Sequence, residues 1–156
     1  MLNNRETIYS AIFALFSSVA AFKTGGRKVV TWSDVDPERQ PALFMAQTGE
    51  NAARTKGLPT KWTLTVKFYL YCHSGGDHSP VGPIINPLLD AITALVETKE
   101  NPAGPNLPRV PLAPGETNTL GIPGVSHCWI EGTIETDEGA LGNQAVAIIP
   151  LNILAT

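Results

Sequence analysis

Three histidines, two cysteines and a scatter of acids are the residues here whose chemistry extends beyond packing. His73 and His78 flank Ser74, Gly75, Gly76 and Asp77, so two imidazoles and a carboxylate could hold a metal or exchange protons. A metal site needs three or four ligands at fixed geometry, and no further candidate lies nearby in the sequence. The plainer reading is a solvated, glycine-rich turn leaving a strand. Ser126, His127 and Cys128 are the residue types of a nucleophile and its base, but neighbours along a strand point to opposite faces. Cys72 adjoins His73, yet it belongs to an apolar row in which a thiol stays protonated and inert. Gly25-Gly26 and Gly75-Gly76 lack the Lys-Ser or Lys-Thr that completes a phosphate loop. Asp36 with Glu38, and Asp137 with Glu138, fall in polar turns where solvated carboxylates are ordinary. These residues predict no catalytic, cofactor-binding or metal site.

The element that must position everything else is residues 60–73. Trp62, Leu64, Val66, Phe68, Leu70 and Cys72 alternate with Thr63, Thr65, Lys67, Tyr69 and Tyr71. Period-2 alternation with β-branched and aromatic side chains predicts a long strand with one face in a core. The other face is polar and aromatic, suited to water or to a wet interface.

Ahead of it, Asn3 or Asn4 can cap a helix, with Glu6 in the place of a capping-box acid. Ile8, Ile12, Leu15, Phe16 and Val19 recur at helical spacing until Thr24-Gly25-Gly26 stops them. Residues 28–32 read as a short strand and 42–46 as a second. Residues 47–59, polar and small, read as a mobile arm. A second helix is expected from about Pro83 or Pro87 to Glu97, with Ile84, Leu88, Leu89, Ile92, Leu95 and Val96 as its stripe and Asn86-Pro87 as a plausible start. Residues 101–124 carry six prolines and four glycines; they forbid helix and central strand, favour extended, semi-rigid backbone, and read as a second irregular arm. Residues 125–135 and 144–154 then form a hairpin about a turn at 136–140. Pro150 places a gap or a sheet edge beside the last strand. The order α-β-β-β-α-β-β predicts an α+β two-layer sandwich: one mixed or mostly antiparallel sheet of about five strands, with both helices on one face.

A chain of 156 residues is expected to be a single domain over 1–156, with irregular arms at about 47–59 and 101–124. Net charge is −3 with no basic run, which argues against groove binding of nucleic acid. The low charged fraction, 16%, suits a protein that assembles. Cys72 and Cys128 are expected as reduced, buried thiols. The N-terminus lacks the pattern of a signal peptide, and the apolar run 8–22, broken by serines, is too short to span a membrane. For partner contacts the candidates are Arg54 and Lys56 in the first arm, Arg109 in the second, and Tyr69 and Tyr71 as aromatic anchors.

Taken in order, several segments resemble the tail terminator (tail completion) proteins of long-tailed bacteriophages, the lambda tail-terminator-like group. They are Arg5-Glu6-Thr7-Ile8-Tyr9-Ser10-Ala11-Ile12, Val30-Thr31-Trp32 with Gln40-Pro41-Ala42-Leu43-Phe44, and Gly57-Leu58-Pro59 entering the long strand. Ile85-Asn86-Pro87-Leu88-Leu89-Asp90-Ala91-Ile92, Thr119-Leu120-Gly121, Cys128-Trp129-Ile130-Glu131-Gly132 and Ala147-Ile148-Ile149-Pro150-Leu151 complete the set. The likeness covers nearly the whole chain through a succession of weak motifs. Its proline-rich stretch before Thr119 departs from the family as an insertion would. The resemblance implies a non-enzymatic virion protein, without cofactor, that forms a homohexameric ring on the end of the tail tube. Such a ring stops tube polymerisation and offers its other face to the head-side connector; DNA is only passing cargo in the lumen, and no membrane is involved. Assembly would take place in the host cytoplasm, and the ring would sit at the head-proximal end of the tail. The rival readings are a head–tail joining or neck protein, a tube subunit, and a small ligand-binding or hydrolytic domain built on residues 73–78.

Overall fold

A computed structural model describes residues 2–76 and 78–156. Its elements are α1 (Arg5–Ser17), β1 (Thr24–Gly26), 3₁₀ turns at Trp32–Asp34 and Pro37–Arg39, β2 (Ala42–Ala53), β3 (Lys61–His73), α2 (Gly82–Glu97), β4 (Thr98–Lys99), β5 (Val110–Pro111), β6 (Val125–Ile130), β7 (Glu135–Leu141) and β8 (Gln144–Ala155). The main sheet runs β1-β2-β3-β8-β6, with β7 also on β8, and β4 pairs β5 in a small second sheet. Among the described residues only β1 is parallel to its neighbour. The fold is therefore an α+β sandwich with a mixed sheet.

The alternation in β3 decides the layering. Leu64, Val66, Phe68, Leu70 and Cys72 are each 0% exposed and share one core with Ile8, Ile12 and Phe16 of α1 and Ile85, Ile92 and Val96 of α2. The Phe16 and Phe68 rings stack with centroids 4.6 Å apart. Each such buried side chain contributes about 1.5–3 kcal/mol. β2 and β8 flank β3 along nearly its whole length, which fixes it as the central strand.

Several expectations are corrected. α1 ends at Ser17, where the hydroxyls of Ser17 and Ser18 donate back to the carbonyls of Phe13 and Leu15, a local competition that serines offer a helix. The next strand is Thr24–Gly26, not 28–32, and it pairs with Ala42–Phe44. Gly25 is needed there because a Cβ would lie 2.3 Å from the Leu43 carbonyl oxygen. The predicted capping box is not made: the Asn4 side chain forms no cap bond, while Glu6 accepts from Ser10 and Arg27. Pro83 lies in the first turn of α2 and Pro87 inside the helix. With the start at Gly82, Ile85 takes the buried face and Ile84 turns out, 37% exposed.

The first expected arm is largely strand. Residues 47–53 continue β2 and pair with β3 through a bulge between Gln47 and Gly49. Before the bulge Leu43 and Met45 face the helices; after it Glu50 and Ala52 stand opposite Leu64 and Trp62 on that same face. Near the C-terminus the turn expected at 136–140 is itself strand, β7. β6 and β7 therefore divide one margin of β8 between them. Pro150, expected to lack a partner on one side, falls between Ile148, which pairs Glu135, and Leu151, which pairs Ile130. A residue with no N–H suits that gap.

Apart from the two residues of β5, which pair with β4, the second expected arm is irregular but tied down. Carbonyls of the last helical turn lack intrahelical donors. The side-chain amide of Asn118, itself buried, donates to the carbonyls of Leu95, Val96 and Thr98 at 2.8–3.1 Å. Lys99 pairs with Glu116 at 2.7 Å, and the Leu112 amide donates to the Glu97 carbonyl.

Candidate interaction surfaces

The groups with nucleophilic or metal-binding chemistry are dispersed. Cys72 and Cys128 are free thiols in the helix-covered core, and burial pushes both up to about 12. His127 lies on the other face: its Nδ1 accepts from the Asn118 amide at 3.0 Å and its ring stacks on Trp129 at 5.2 Å. The Ser126-His127-Cys128 run is thereby split across the sheet. His73 Nδ1 accepts from the Gly75 amide at 2.9 Å, the hydrogen bond of a tight turn. His78 has a positive φ of 59°. Asp77, the third member of that trio, lies outside the described residues. Among the described residues no three His, Cys, Asp or Glu side chains group as metal ligands.

The residues expected at an interface fall in three places. Arg54 and Lys56 sit in the exposed connection 54–60 between β2 and β3, without an ion-pair partner among the described residues. Tyr69 and Tyr71 share the face of β3 away from the helices. Tyr69 is half-buried there. Tyr71 is buried, donates to the Val30 carbonyl at 2.7 Å and lies 5.7 Å from the Phe44 ring. Burial, then the nearby Tyr69, raises its pKa. Arg109 turns onto Thr98, bonding the hydroxyl at 2.9 Å and the carbonyl at 2.7 Å, so it reinforces the end of α2.

That second face of the sheet is covered at one end. Val29, Val30, Trp32 and Val35 pack over Ala42, Phe44 and Tyr71. Towards the other end Thr63, Thr65, Asn152 and Leu154 are half-buried and lie outside the apolar layer that covers Phe44 and Tyr71. Thr65 donates to Asn152 at 2.9 Å, and Glu131 accepts from both Asn152 and the Trp129 indole, so this region is an ordered polar ladder. Beside it Trp32, Val146 and Ile148 floor a cleft of about 310 Å³ whose rim carries Glu135 and Asp137.

Sequence reasoning missed the base of the β2–β3 hairpin. Arg5 Nε donates to Glu50 at 2.7 Å, Tyr9 donates to the same carboxylate at 3.2 Å, and the Arg5 guanidinium lies 4.8 Å from the centre of the Trp62 ring. Burial foremost, then the Glu50 charge, raises Tyr9 to about 12. Nothing in a linear pattern pairs Arg5 with Glu50; the Thr48 bulge does. The sheet also keeps two unlike margins. Among the described residues β2 has no outer partner over 45–53, and β7 has none beyond β8.

Among the described residues no helix is long and apolar enough to cross a membrane. Neither a protein-family model nor a curated protein matches this chain.

Proposed function

We propose that this chain is a structural, non-enzymatic subunit that caps the end of a phage tail tube as a ring-shaped homo-oligomer, most simply a hexamer. In this reading the ring stops tube growth and gives the head-side connector a docking surface. It sits in the virion at the head-proximal end of the tail, with DNA passing through its lumen.

The observation that carries the reading is the pair of unlike open margins: β2 over 45–53 on one side and β7 on the other. Unpaired strand edges are templates for another chain, and proteins that stay monomeric guard them. A subunit with two different sticky sides makes head-to-tail contacts, which close into rings when the rotation allows. The resemblance to tail terminators supplies the place of such a ring, and the two helices, Arg5–Ser17 and Gly82–Glu97, favour it over a tube subunit, which would be nearly all strand. Arg54, Lys56 and Tyr69 remain the proposed contact residues with open surface. Tyr71 and Arg109 would act mainly by holding their own surroundings.

The test is the mass of the purified protein by light scattering across a concentration series, alone and then with tail tube protein. A ring, or a monomer that becomes a ring on tube ends and halts their growth, is expected. A monomer indifferent to tube ends would overturn the reading.

A further inference from the structure

Charge is segregated along this sequence in a way that the sheet order turns into geometry. From Asn51 to Gly76 the charged residues are Arg54, Lys56, Lys61 and Lys67, all basic. After Arg109 they are Glu116, Glu131, Glu135, Asp137 and Glu138, all acidic. The first set lies on the β2–β3 hairpin. Apart from Glu116, the second lies on β7 or just before it. Ala42, Tyr71, Val146 and Asp137 form one row across the sheet, so β7 stands level with the start of β2, while Arg54 and Lys56 lie past its far end.

The hairpin loop and β7 therefore occupy diagonal corners. Three strand spacings across and the length of β3 from Lys61 to Tyr71 separate them by roughly 35 Å. The Debye length at physiological salt is about 8 Å. The two charge sets do not neutralise each other within one subunit. Among the described residues, Arg54, Lys56, Lys61, Glu135, Asp137 and Glu138 also have no ion-pair partner in the chain.

The acidic corner is shaped as well as charged. In the cleft beside β7, Val146 and Ile148 offer an aliphatic floor, Trp32 a ring, and Glu135 and Asp137 carboxylates at the rim. A long cationic side chain matches all three: its stem lies on apolar surface, its head over an aromatic ring, and its charge against carboxylate.

We infer that the hairpin loop of one copy docks on the β7 margin of the next, with Arg54 or Lys56 entering the cleft between Trp32, Glu135 and Asp137. This rests on the ring reading above and specifies its contact. Each copy uses the loop once and the margin once, so the contact is head-to-tail, and opposite charge sets its polarity.

The experiment compares the full chain with R54E/K56E and with E135K/D137K by light scattering, alone and on tube ends, with circular dichroism confirming that each variant is folded. Each reversal faces like charge against like and is expected to weaken assembly at least tenfold. Mixed in equal amounts, the two variants present opposite charges at every contact and should restore rings of even subunit number. A chain carrying all four substitutions should restore rings by itself. Wild-type assembly should weaken as salt rises from 50 to 500 mM. If either pair misfolds, the neutral pairs R54Q/K56Q and E135Q/D137N are used, with a smaller loss expected from each. Wild-type rings indifferent to both reversals would overturn this contact and leave the ring reading standing. Two damaging reversals that fail to rescue each other would assign the two surfaces to different partners and equally overturn it. A wild type that forms no ring under any of these conditions removes the ring reading and this contact together.

Discussion

Residues 47–59 and 101–124 look alike as sequence: polar, rich in small residues and broken by glycine and proline. The fold uses them in opposite ways. The first becomes the edge of a hairpin, paired to β3 on one side and bare on the other. The second becomes a strap whose Asn118 supplies hydrogen to the carbonyls that α2 leaves unpaired. What separates them is the demand from their neighbours. The end of a helix needs donors from its own chain and draws a segment in, whereas the outward groups of an exposed edge strand can be met by water or by another chain.

If that contrast holds, substitutions in the strap cost stability and those in the hairpin loop do not. Asn118→Ala should destabilise the fold by about 3 kcal/mol, because buried carbonyls lose their donors; urea unfolding measures this, and a loss below about 0.5 kcal/mol would erase the distinction. The two regions should also loosen at opposite ends of the pH scale. Glu116 is held below the usual carboxyl range by its hydrogen bond to Lys99 and then by the Ala113 amide. Its contribution is present above the ordinary carboxyl pKa and is lost as pH falls through the lowered one. Tyr9, at the hairpin base, is raised to about 12 from an ordinary 10.0. Its contribution is complete below 10 and disappears as pH climbs through about 12. Hydrogen exchange against pH should show the strap opening first in acid and the hairpin base in alkali. Glu50→Gln should shift the ultraviolet titration of Tyr9 downward, only part of the way because burial is the larger cause, and cost within about 1 kcal/mol. The smallest effect is expected from Arg54→Ala with Lys56→Ala: a change of about 0.5 kcal/mol or less in monomer stability, measured by the same unfolding curves.

The parts legible in the sequence were those whose signal is local. The alternation from Trp62 to Cys72 announced the central strand and which of its sides is dry. Pro150 announced a gap in the ladder, and both cysteines announced their burial. What stayed hidden depends on distant neighbours. Gly25 reads as a helix stop until the Leu43 carbonyl shows why no side chain fits. Gln47 to Ala53 has no alternation because an edge strand with both faces wet needs none. Tyr69 and Tyr71 are equivalent in the pattern, and only the cover from Val29 to Val35 makes one buried and leaves the other half-open. The segregation of basic from acidic residues was visible in the composition of two stretches, but it acquires meaning only once β2 and β7 are known to be opposite margins.

The bulge beside Thr48 works like a change of reading frame. Upstream of it odd-numbered residues of β2 look toward the helices, and downstream even-numbered ones do. Length can therefore vary freely in the connection 54–60, which is beyond the last paired residues. Drawing Thr48 into the ladder as an ordinary paired residue would instead invert the sense of every position from Gly49 to Ala53. Glu50 would swing to the far side of the sheet, away from Arg5 and Tyr9, with Asn51 turned inward in its place. One residue of polar, unremarked sequence thus sets which way the whole outer half of the strand looks.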